Sequence, residues 1–153
     1  MHVPASLHTQ LLKPKEADES SGGLNLAGDR RFVLVIDREA GVRALFDQVL
    51  SQDGYSVTLV ETAREALLAI ERMAFDLVVF DLSLPGEDTV KTLQQVRCAS
   101  PFSKVLVTFS RFVAGAMNIA ISAGAAATLA KPTTAQEIRY AVYRSINPVG
   151  RRP

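Results

Sequence analysis

Asp76-Leu77-Val78-Val79-Phe80-Asp81 sets four consecutive apolar residues between two acids. A run this short and continuous, with no polar alternation, suits a strand buried on both faces of a sheet. The upstream run Phe32-Val33-Leu34-Val35-Ile36 has the same character and stops in the same way, at Asp37. Working outward, residues 57–60, 105–107 and 127–130 read as three further strands. Between them lie helical stripes. Val42, Leu45, Phe46, Val49 and Leu50 recur at helical spacing, with Gly54 as the stop. Thr62-Ala63-Arg64-Glu65 and Thr134-Ala135-Gln136-Glu137 are capping boxes, in which threonine and glutamate satisfy each other's free N–H groups at a helix start. Ile138, Ala141, Val142 and Ile146 form the buried side of the last helix. A weaker helix is expected over 89–99. Val113, Ala116, Met117, Ala120 and Ile121 make another stripe, ended by Gly124, which core packing explains for most of its residues.

Five strands alternating with five helices predict an α/β fold, a doubly wound parallel sheet joined by right-handed crossovers. Residues 1–31 read as a flexible N-terminal tail, 32–147 as one domain and 148–153 as a short C-terminal tail. Both histidines, His2 and His8, fall in the first tail. With 153 residues, 48% hydrophobic and 22% charged, the chain is globular and suits a single domain. A net charge of +1 gives no electrostatic case for nucleic acid or an anionic membrane. No apolar run reaches spanning length, and the N-terminus lacks a signal-peptide core, so a cytoplasmic location is expected. Cys98 is expected to be a buried or partly buried thiol in a reducing compartment. No phosphate-binding glycine loop, zinc-spaced Cys/His cluster or hydrolase triad is present.

In open parallel sheets, chemistry collects at the carboxyl ends of the strands. Asp37, Asp81 and Lys131 end the first, third and fifth strands. A lone aspartate there is more often a helix cap, and a structural ion pair of Asp81 with Lys131 is the plain alternative. Two acids and a lysine on one sheet form a stronger pattern.

These residues carry a resemblance. Residues 32–146 resemble the receiver domain of two-component response regulators, through residues 33–37, through Asp81-Leu82-Ser83-Leu84-Pro85-Gly86, and through Leu129-Ala130-Lys131-Pro132. The resemblance implies a flavodoxin-like (βα)5 fold with strand order 2-1-3-4-5. It implies that Asp81 accepts a phosphoryl group in a histidine-to-aspartate phosphorelay, from a histidine kinase or histidine phosphotransfer protein, and that Lys131 neutralises phosphoryl charge. Self-phosphorylation and autodephosphorylation are the most enzymatic activity it implies. Mg2+ would be held by Asp37, Asp81 and the Ser83 backbone carbonyl. Pro132 would follow a cis peptide. Output would pass to a downstream protein target through the fourth helix, fifth strand and fifth helix, a face also suited to a homodimer.

The sequence departs from the family pattern at four places. Arg38 stands where the family has its directly ligating second acid, so Mg2+ binding is weakened; Glu39, one residue on, is expected to point elsewhere, with rescue of the ion by Glu39 as the lesser alternative. Arg38 either swings into solvent or lays its guanidinium near Asp37 and Asp81 in the ion's place. Counting back from Lys131 puts Phe109 at the switch hydroxyl, with Thr108 or Ser110 as the nearest replacements. Thr128 replaces an aromatic residue and Thr89 a glycine. The rival reading is a pseudo-receiver, a phosphorylation-independent interaction module locked by Arg38.

Overall fold

The computed structural model describes residues 30–84, 88–110 and 113–147. The expected tails up to residue 29 and from 148 onward, and the Pro85-Gly86 pair, lie outside these residues. The chain alternates β1 (Phe32–Ile36), α1 (Ala40–Gln52), β2 (Ser56–Val60), α2 (Ala63–Arg72), β3 (Leu77–Asp81), α3 (Thr89–Ala99), β4 (Lys104–Ser110), α4 (Ala116–Ser122), β5 (Ala127–Lys131) and α5 (Ala135–Ile146). All strand pairs are parallel, in the order β2-β1-β3-β4-β5.

The predicted double burial holds in the centre of the sheet. Every residue of β3 is buried, and so are the last four of β1. Successive side chains alternate between the faces, and each face is covered by helices. Val33, Val35, Leu77, Val79 and Leu106 pack with Phe46, Val49 and Leu50 of α1 and with Ile138, Ala141 and Val142 of α5. Leu34, Ile36, Val78, Phe80, Val105, Val107 and Phe109 pack on the other side with Ala66 and Ala69 of α2, Leu93 and Val96 of α3, and Ala116 and Ala120 of α4. Both capping boxes form, at Thr62–Glu65 and Thr134–Glu137. The chain leaves α1 through Gly54, whose φ of 91° suits a residue without a Cβ.

Three expectations are corrected. The fourth strand runs three residues further than its apolar centre, through Thr108 and Phe109 to Ser110. The fourth helix starts only at Ala116, after Gly115 at φ 69°, and its stripe is split: Ala116 and Ala120 are buried, but Met117 and Ile121 are exposed. Cys98, expected to be sheltered, is exposed on α3, because Leu93 and Val96 supply that helix's buried face. No helix among the described residues is long and apolar enough to cross a membrane.

Candidate functional site

Asp37 follows β1 directly, Asp81 is the last residue of β3 and Lys131 the last of β5. Each continues the side-chain alternation of its strand on the face covered by α1 and α5, as residues 33 and 35, 77 and 79, and 127 and 129 do. The three side chains therefore converge at the carboxyl rim of the sheet. Lys131 Nζ donates to Asp37 Oδ2 at 2.9 Å and lies 3.3 Å from Asp81 Oδ2. Asp37 and Asp81 are 2% and 1% exposed, so this is a buried charge cluster rather than a surface ion pair.

Each carboxylate is fixed by its own loop. Asp37 Oδ1 accepts the Glu39 N–H at 2.9 Å. Asp81 Oδ1 accepts both the N–H and the hydroxyl of Ser83, at 3.0 and 2.8 Å. Asp81 Oδ2 is buried and accepts no hydrogen bond, although the ammonium is close by. Burial raises the Asp37 pKa, opposed by its hydrogen bonds from Glu39 and Lys131, while the Asp81 charge raises it further. For Lys131 burial works against the charge, but the hydrogen bond to Asp37 and the charges of Asp37 and Asp81 outweigh it and raise its pKa. The cluster thus holds a charged lysine against carboxylates. The Lys131–Pro132 peptide is cis, as expected.

Arg38 is exposed and makes no ion pair or hydrogen bond with Asp37 or Asp81 among the described residues. Of the two expected placements, the structure shows the solvent-facing one. Glu39 departs from expectation in the opposite sense: it turns toward the site, with Oε1 3.7 Å from Lys131 Nζ. Arg43, which the sequence reading missed, donates to the Asp37 carbonyl at 2.7 Å and pairs with Glu61 at 3.3 Å. The signal was available in principle, since position 43 lies one helical turn beyond Glu39 at the start of α1.

Thr108 is the register partner of Asp81 and shares its face. It is 1% exposed, and its hydroxyl makes no hydrogen bond. Ser110 lies opposite Lys131. Phe109 faces the other way, into the core beneath α2, α3 and α4. Among the described residues, the buried side-chain atoms without a hydrogen bond are the Asp81 Oδ2 and the Thr108 hydroxyl, on neighbouring strands of one face.

An orphaned, buried carboxylate oxygen beside a second carboxylate is the donor type that a hard divalent cation takes. No three metal-ligating side chains among the described residues already stand in an ion-binding arrangement. The donors fit magnesium in kind, with at least one ligand position to be supplied otherwise.

The profile of the response regulator receiver domain matches residues 33–143. The alginate biosynthesis transcriptional regulatory protein AlgB of Pseudomonas putida is 30% identical over 114 residues, 74% of this chain and 25% of that protein. The chain thus spans about a quarter of the length of AlgB. Sporulation initiation phosphotransferase F of Bacillus subtilis is 26% identical over 110 residues, 72% of this chain and 89% of that protein. A receiver domain protein (CheY-like) from Methanospirillum hungatei superposes with a TM-score of 0.70 at 24% identity, covering 77% of this chain and 94% of that one; it supports the fold.

Proposed function

The chain belongs to the response regulator receiver domain family, and from that premise we propose that Asp81 accepts a phosphoryl group from the phosphohistidine of a histidine kinase or histidine phosphotransfer protein. The observation that carries this reading is Asp81 Oδ2, buried without a hydrogen bond and 3.3 Å from a charged lysine. Ser83 occupies Oδ1 with two donors and fixes the carboxylate, leaving Oδ2 as the nucleophile.

Oδ2 attacks phosphorus as the bond from phosphorus to the donor imidazole breaks, and the imidazole nitrogen keeps that electron pair. The product is an acyl phosphate on Asp81. As Oδ2 gives its charge to the new P–O bond, the Lys131 ammonium moves onto the phosphoryl oxygens, where charge must be neutralised. Magnesium, held by Asp37, Asp81, the Ser83 carbonyl and water, would add positive charge to those oxygens. Thr108, the register partner of Asp81, or Ser110, opposite Lys131, would meet the phosphoryl group from β4. Output follows as altered affinity for a protein target at the face of α4, β5 and α5, in a cytoplasmic two-component pathway.

The rival reading of a phosphorylation-independent module rested on Arg38 locking the acids and on Phe109 in place of a hydroxyl; Arg38 is exposed, and Phe109 packs in the core while Thr108 is the register partner of Asp81. The test is intact-mass measurement after incubation with a small phosphoryl donor, with and without magnesium. A single phosphoryl adduct, absent in Asp81→Asn, is expected. No adduct under any condition overturns the proposal.

A further inference from the structure

We propose that Leu24-Asn25-Leu26, upstream of the sheet, docks in a tyrosine-lined groove between the end of α1 and the exposed side of α5. The inference concerns a surface other than the phosphoryl-accepting rim and stands whether or not Asp81 takes a phosphoryl group.

Every tyrosine of the chain lines this one groove. The sequence holds three, Tyr55, Tyr140 and Tyr143, and with Asp53 and Arg139 they bound an open space of about 700 Å3. The Asp53 carboxylate takes the Arg139 guanidinium at 3.0 Å, which ties the end of α1 to α5. Arg144 lies over the Tyr140 ring, 5.5 Å from its centre, and donates to its hydroxyl at 2.9 Å, so that ring is held in place. Tyr140 and Tyr143 are nevertheless 62% and 58% exposed, two large rings side by side with apolar surface to cover. Rings with hydroxyl edges suit an uncharged peptide segment, whose side chains pack on the faces while its backbone bonds the hydroxyls.

The path of the chain selects the occupant. The Arg31 carbonyl accepts the Ser56 N–H at 2.9 Å, so the polypeptide reaches β1 directly beside Tyr55. Burial raises the Tyr55 pKa, the Asp53 charge adds to the rise and the Arg31 charge opposes it, so Arg31 lies within electrostatic reach of that hydroxyl. Leu26 stands five positions before Arg31, at most about 18 Å of extended chain. The α5 side of the groove, from Gln136 to Tyr143, is about 10 Å long and falls within that reach. Leu24 to Gly28 carries no charge, so laying it on the rings strips water from no ion. Residues 13–19, with five charged side chains, do not suit the same surface. In an extended segment Leu24 and Leu26 fall on one side and can enter the groove together. A tether this short gives an effective concentration on the order of millimolar, enough to fill a groove whose contacts are individually weak.

The chain has no tryptophan, so its fluorescence reports on these three rings alone. The test is acrylamide quenching of that fluorescence in the full chain. Leu24→Ser combined with Leu26→Ser should raise the quenching constant about twofold, because the tether keeps the groove mostly filled until its leucines are removed. Leu11→Ser combined with Leu12→Ser, further from the groove along the chain, should leave it unchanged. Equal quenching in the Leu24 and Leu26 variant and the unaltered protein overturns the inference, as does an equal rise in both variants. Quenching of the unaltered protein that rises on dilution assigns the groove to a second copy of the chain and overturns it too. Leu26→Cys with Gln136→Cys, in a Cys98→Ser background, gives a readout that leaves the leucine at 24 in place. A disulfide within one chain is expected on mild oxidation, and a product linking two chains overturns the proposal.

Discussion

Lys131 carries one positive charge between two carboxylates that are almost wholly withdrawn from water. Removing one partner of a buried ion pair costs roughly 3–5 kcal/mol, because the charge left behind has neither solvent nor counter-ion. The Lys131 side chain keeps 14% exposure, which admits some screening. Lys131→Met should therefore lower stability by about 3 kcal/mol in urea unfolding at neutral pH. A loss below about 1 kcal/mol would mean that the cluster is hydrated like a surface pair. These three charges were legible in the sequence because strand ends converge at a sheet's rim whatever the loops do. Glu39 was not legible, since its direction depends on the backbone leaving β1 and on the Asp37 hydrogen bond to its own N–H. The choice among Thr108, Phe109 and Ser110 was equally hidden, because a shift of one residue reverses a strand's faces and only the pairing of Asp81 with Thr108 fixes it.

Among the helices, local signals proved dependable where the pattern included its own termini. The Thr134–Glu137 box predicted the start of α5, and it brings a pH dependence. The Thr134 N–H, with the Thr133 hydroxyl, holds the Glu137 carboxyl below its ordinary 4.5. A depressed carboxylate stabilises the fold above that ordinary value and loses the contribution as pH falls through its folded value. The difference in thermal midpoint between the protein and Glu137→Gln should accordingly shrink as pH drops below 4.5; a difference that grows there would contradict the box. The fourth helix had no such marker. Its five-residue stripe assumed a start at Val113, whereas the helix opens at Ala116 and buries Ala116 and Ala120, with Ile119 and Ala123 packed beside them. The buried face is rotated by roughly a fifth of a turn from the predicted one, a displacement that small residues tolerate. Ile121 is consequently 63% exposed. Ile121→Lys should change unfolding free energy by no more than about 0.5 kcal/mol, whereas a core position would lose several.

Across the whole molecule, burial falls from the centre of the sheet toward β5, whereas the opposite edge strand, β2, keeps four of its five residues buried. β3 is buried throughout, while β5, at the sheet's edge, has no fully buried residue. Local opening is easiest where few apolar contacts must be broken. Native-state hydrogen exchange should find the amides of β1 and β3 slowest and those of β5 markedly faster; uniform protection would show a single cooperative unit. The two-sided layering was readable from the unbroken apolar runs, and the weaker burial of β5 has its mark in Ala127-Thr128-Leu129-Ala130, which holds a single large apolar side chain.

Asp37 and Lys131 meet across 94 positions of chain. A growing polypeptide that has just made Asp81 therefore holds both buried carboxylates but not yet the Lys131 ammonium. That cation arrives only when the final strand zips onto the edge of the sheet. The charge-balanced rim is thus assembled only by finishing the fold.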